Sequence, residues 1–203
     1  MTNLNTPYGL VPVKNSPFVE IPKNYYYIPS SYATALFIGD PVVKTGTSNT
    51  VNVTSAGRSF NAGSLPEINK ATAGDNNAIT GVIIGFLANP TNLNAAYNPA
   101  STERVAIVAD NPLQEFEIQE ETAGTALAAT SVGLNANLVY AESGSTITGL
   151  SGAELDTSTP ATTSTFQLKI LRLVDAPDNA IGQHAKWRVK INNHTEANAT
   201  AGI

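Results

Sequence analysis

Two histidines, His184 and His194, are the only side chains of this sequence whose unperturbed titration falls near neutrality. A hydrolase would need one of them as a base, within reach of a nucleophile and an orienting group. The nearest approach to a nucleophile elbow is Gly149-Leu150-Ser151-Gly152, which lacks the Gly-x-Ser-x-Gly spacing and the strand-to-helix setting. Asp175, Asp178 and Asn179 could offer oxygen ligands to calcium, but the EF-hand spacing and its closing glutamate are missing, and turn formation accounts for all three. Asp40 lies in Gly39-Asp40-Pro41 between apolar runs, again a turn. Glu115 and Glu117, at i and i+2, would share one strand face as a glycosidase pair would share a cleft. On a wet face such spacing is ordinary. Gly81 and Gly85 lie inside a strand pattern rather than in a phosphate-cradling loop, and the absence of cysteine removes thiol, disulfide and Cys-zinc chemistry together. No residue is expected to be catalytic or to hold a cofactor or metal, and no enzyme is expected.

The elements that would position these groups are short strands. Between Ile79 and Glu121, Val82, Ile84 and Phe86 share one parity, Val105 and Ile107 another set, and Phe116 and Ile118 alternate with Glu115, Glu117 and Gln119. Asn89-Pro90, Asn98-Pro99 and Asp110-Asn111-Pro112 punctuate them with turn chemistry. Leu168, Ile170, Leu171 and Leu173 change parity midway, which predicts a β-bulge near Ile170 to Arg172. Lys186, Arg188 and Lys190 alternate with Trp187, Val189 and Ile191 as the solvated face of a last strand. The expected fold is all-β, an antiparallel sandwich or barrel of the jelly-roll or tulip kind. Phe86, Ile107, Phe116, Ile118, Leu168, Trp187, Val189 and Ile191 are its expected core. Residues 122–130, Ala-rich after Glu120 and Glu121, predict one short helix.

A chain of 203 residues with 42% hydrophobic residues suits one core, burying roughly 70% of the unfolded surface. Only 13% of residues are charged, and Thr, Asn and Ser supply the polarity. The net charge of -5 argues against a nucleic-acid partner. No apolar run reaches membrane-spanning length, and the opening residues lack the basic-then-apolar pattern of a secretory signal, so a membrane partner and export are not expected.

Pro7, Pro12, Pro17, Pro22 and Pro29 divide the first thirty residues, with Tyr8, Phe18, Tyr25, Tyr26 and Tyr27 between them. Proline at this density forbids a helix and predicts an extended arm over 1–30. The arm either wraps its own domain or reaches a neighbouring molecule. One β domain over 31–192 and a mobile tail over 193–203 complete the expected organisation.

The runs PYGLVPV, ATALFIGDPVV, TGVIIGF, VADNPLQEFEIQE, ALAATSVGLNANLV, LKILRLVDAPDNAIG and AKWRVKINNH, spread over almost the whole chain, resemble structural proteins of tailed bacteriophages taken to be capsid cement or decoration proteins. That resemblance implies a virion protein made in the host cytoplasm. It would sit on the outer surface of the head as a dimer or trimer, partnered by the major capsid protein and by itself. The arm residues Pro7, Tyr8, Pro12, Pro17, Phe18, Pro22, Tyr25, Tyr26 and Tyr27 are then the candidate contacts. The other reading is a tail- or fibre-associated carbohydrate-binding sandwich, for which Tyr25 to Tyr27 and Tyr97 are the available aromatics.

Overall fold

The structure is a computed structural model that describes residues 3–14, 20–89, 92–197 and 199. In chain order its strands are β1 (Val11–Pro12), β2 (Asn24–Ile28), β3 (Pro41–Ser48), β4 (Val53–Ser55), β5 (Arg58–Phe60), β6 (Pro66–Lys70) and β7 (Gly81–Phe86). They continue as β8 (Arg104–Ala109), β9 (Glu115–Gln119), β10 (Asn135–Ala136), β11 (Leu138–Val139), β12 (Glu154–Leu155), β13 (Leu168–Leu173) and β14 (Lys186–Ile191). The expected all-β architecture is present in both of its forms. Strands β2-β6-β3-β7-β8 close a barrel, and β1-β9-β14-β13-β10 form an open sheet packed on the barrel wall.

Alternation builds the open sheet as expected. Phe116 and Ile118 of β9 stand opposite Val189 and Trp187 of β14, and Leu168 and Ile170 of β13 stand opposite Ile191 and Val189. All seven are buried against Leu10, Ile79, Val82 and Leu138. Burying each large apolar side chain contributes about 1.5–3 kcal/mol before entropy is subtracted. The β13–β14 register slips between Ile170 and Arg172, the bulge that the parity change predicts.

A second bulge, in β7 between Ile83 and Gly85, was not expected. It changes which residues share a face. Val82 and Ile84 point to the open sheet, whereas Ile83 and Phe86 both reach the barrel cluster of Tyr26, Ile28, Val42, Ile68, Ala106 and Val108. Phe86 is consequently half-buried, and so is Ile107, which faces outward from the barrel. The β4–β5 hairpin folds over that outer wall, where Val53 and Phe60 cover Tyr27 and Val105.

Three boundaries differ from the expectation. Asn24–Ile28 is a barrel strand, paired along its whole length with β8, so the arm does not extend to residue 30. Proline-free between Pro22 and Pro29, this segment buries Tyr26 and Ile28 inside the barrel and Tyr27 beneath the hairpin. The C-terminal segment is tied down as far as Ala197: Ile79 N–H donates to Asn193 O at 2.9 Å, Thr195 N–H donates back to Ile79 O at 3.0 Å, and His194 is buried. Over 122–130 the helix reduces to the start of one 3₁₀ turn, Ala129–Ser131.

Candidate interaction site at the strapped sheet edge

The N-terminal residues 3–13 lie as a strap along the open sheet. Asn3 donates from Nδ2 to Ala180 O (2.8 Å) and Gln183 O (2.9 Å) and accepts from Ala180 N at 3.0 Å. Gln119 receives Thr6 N–H on Oε1 at 3.0 Å and donates to Asn5 Oδ1 at 2.9 Å. Tyr8 OH donates to Glu117 Oε1 at 3.0 Å. Burial first, and then the neighbouring Glu117 charge, push the Tyr8 phenol above its ordinary range. Leu10 plugs the core at 1% exposure, and Val13 N–H donates to Glu115 O at 2.9 Å. Most of these bonds leave the strap for the domain, which follows from prolines that prevent it from pairing with itself.

Of the candidate contacts, Pro7 and Tyr8 are half-buried on the strap, and Pro12 sits in β1 opposite Phe116. An edge strand tolerates proline because no neighbour needs the missing N–H. Pro22 is exposed. Pro17 and Phe18 lie outside the described residues. Tyr25 is half-buried, while Tyr26 and Tyr27 belong to the chain's own core and turn their hydroxyls to Asp110 (2.7 Å) and Glu103 (2.7 Å). Burial and the Glu103 bond push the Tyr27 phenol up to about 12. The aromatic run is therefore not a free contact surface.

The residues singled out for chemistry are held by separate partners. Ser151 Oγ donates to Asp40 Oδ1 at 2.5 Å, and Asp40, fully buried, also takes Phe37 N–H at 2.8 Å and the Lys70 ammonium at 3.0 Å. The Gly-Asp-Pro turn thus locks the barrel to the 143–153 loop. His184, at φ 62°, has only a 3.5 Å approach to Thr122 Oγ1, and His194 accepts Glu196 N–H on Nδ1 at 3.0 Å. Glu115 lies 3.6 Å from both Arg172 and Arg188, while Glu117 takes Tyr8. Asn179 closes the β13–β14 turn, donating to Val174 O and Lys186 O and accepting Lys186 N–H at 2.8–2.9 Å. Among the described residues no three of the His, Asp and Glu side chains are grouped to hold a metal ion.

The burial of Glu120 and Glu154 was not expected from the sequence. Glu120 accepts the Trp187 indole N–H at 2.8 Å and Leu127 N–H at 3.3 Å, and Glu154 accepts Gln119 Nε2 at 3.1 Å. Burial pushes both carboxyls up to about 7. Glu120 continues the parity of Phe116 and Ile118, and the lone tryptophan needs an acceptor when buried, so the signal was present.

On the wet face of the sheet stand Lys169, Arg172, Lys186, Arg188 and Lys190, five of the eleven Lys and Arg residues in a chain of net charge -5. Lys169 faces Lys190, and Arg172 faces Arg188. The strap runs alongside β9 at the edge of this sheet. No family model, no curated protein and no solved structure matches this chain.

Proposed function

We propose that this chain is a structural virion protein that binds the outer surface of a tailed-phage head as a dimer or trimer and stabilises the capsid by bridging major capsid protein subunits. The observation that carries the reading is the strap. Residues 3–13 bond to the sheet of their own domain rather than to one another, and they leave Leu4 and Val11 at 74% and 44% exposure beside the sheet edge. A neighbouring subunit could receive the same bonds, and an extended segment loses little entropy on docking. The resemblance of the sequence to capsid cement proteins supports the same reading. Binding only the assembled shell stabilises it by mass action.

The test is to purify virions, measure the copy number of this protein, and add the isolated protein to heads that lack it. Hundreds of copies per head, and heads that resist heat or chelator better after addition, are expected. A few copies confined to tails, or no gain in head stability, overturns the proposal.

A further inference from the structure

A groove of about 580 Å³ opens where the start of β2 meets the β4–β5 hairpin and the turn that follows it. That volume is within the range of about 300–1,000 Å³ that holds small ligands. Its floor carries Asp110, 8% exposed, whose oxygens receive Asn24 Nδ2 at 2.9 and 3.2 Å and Tyr26 OH at 2.7 Å. A carboxylate offers about four lone-pair sites. Three are engaged, which leaves one acceptor position that a ligand hydroxyl can fill.

At the mouth lies Arg58. Its guanidinium carbon is 4.7 Å from the Tyr25 ring and 4.9 Å from the Phe60 ring, so it lies against two aromatic rings that are tilted 57° to each other. Among the described residues no carboxylate or carbonyl accepts a hydrogen bond from it. The other cation of the groove, Lys44, is already paired with Glu196. Arg58 is thus an exposed guanidinium resting on aromatic rings, with donors free to receive a carboxylate through two parallel bonds. Between mouth and floor the wall includes Ser59, Asn61 and Ser64, neutral groups that suit hydroxyls rather than apolar side chains.

We infer that this groove binds an acidic saccharide, with a sugar carboxylate on Arg58 and a ring hydroxyl donating to Asp110. The site takes a short acidic saccharide rather than a long polyanion, because the chain as a whole carries -5 and repels further negative charge. It is independent of the strap and goes beyond attachment to the shell.

The experiment titrates the full chain with digalacturonate, with the neutral disaccharide of galactose, and with a pentaglutamate peptide, followed by calorimetry and amide chemical shifts. Digalacturonate should bind at least tenfold tighter than either comparison, with shifts centred on Tyr25, Arg58 and Asn61. Arg58→Ala should weaken it at least tenfold. Asn61→Asp, which places a like charge on the wall without touching the aromatic stack, should do the same with an unchanged melting temperature. Equal binding of the neutral disaccharide, tighter binding of the peptide, unchanged binding by either variant, or no response at millimolar digalacturonate overturns the inference.

Discussion

Gly9 and Gly39 meet so closely that a Cβ on Gly9 would lie 2.4 Å from Gly39 O, and one on Gly39 would lie 2.4 Å from Tyr8 O. Both have left-handed backbones, at φ 72° and 90°. The pair is where the strap is pressed onto the turn that starts β3, and Leu10 N–H donates to Gly39 O at 3.0 Å beside it.

Gly9→Ala should therefore cost more than its backbone angle alone. Left-handed φ costs a residue with a Cβ roughly 1–2 kcal/mol, and the contact with backbone atoms adds to that. Gly46→Ala, with φ 89° and open space around it, isolates the backbone cost. Chemical denaturation should rank Gly9→Ala clearly below Gly46→Ala, and equal midpoints would remove the contact from the account.

Removal of residues 1–29 should abolish folding, because it deletes β2 and with it Tyr26 and Ile28 from the barrel. Removal of residues 1–8 spares Leu10 and β1 but deletes the bonds of Asn3, Asn5, Thr6 and Tyr8. That shorter chain should keep its β-sheet circular dichroism and cooperative melting, yet bind heads at least tenfold more weakly. Unchanged head binding would separate the strap from attachment.

Stability should fall as pH rises toward and through 7. Glu120 and Glu154 are raised to about 7 from an ordinary 4.5. The folded state therefore holds their protons more tightly than the unfolded state does. Their contribution is fully present below about 4.5 and is lost as pH rises through about 7. Burial of His194 lowers its pKa and acts in the opposite direction, favouring the higher pH. Comparison with the Glu120→Gln, Glu154→Gln double variant isolates the carboxylates. Its urea midpoint relative to the parent should improve from pH 5 to pH 8, and a constant difference would refute the assignment.

Lys70→Met should destabilise the fold by about 3 kcal/mol, since removing one partner of a buried ion pair leaves the other charge uncompensated. Asp40 is 0% exposed and Lys70 lies 3.0 Å away. Changing both together, Lys70→Met with Asp40→Asn, should recover part of the loss in a double-mutant cycle. Additive losses would show that the two act separately.

Alternation is a local property, and whatever depended on it was legible in the sequence. The faces of β9 and β14, the buried parity of Trp187 and the bulge near Ile170 could all be read from neighbours a few residues apart. So could Glu120, which continues the parity of Phe116 and Ile118. Tyr25, Tyr26 and Tyr27 could not be read this way. Consecutive tyrosines have no preferred wet side, and their environment is set by β8 and by a hairpin some thirty residues downstream, Val53 to Phe60. The bulge in β7 likewise has no parity change to announce it, since Val82, Ile83, Ile84 and Phe86 are all apolar and either face could take them. Local patterning was enough to specify an all-β chain with one amphipathic sheet. Long-range packing closes a second set of strands into a barrel, straps residues 3–13 along the sheet while 24–28 enter the core, and brings Arg58 and Asp110 to one groove. These are meetings of distant segments, chosen by which faces can be buried together, and no window of neighbouring residues contains that choice.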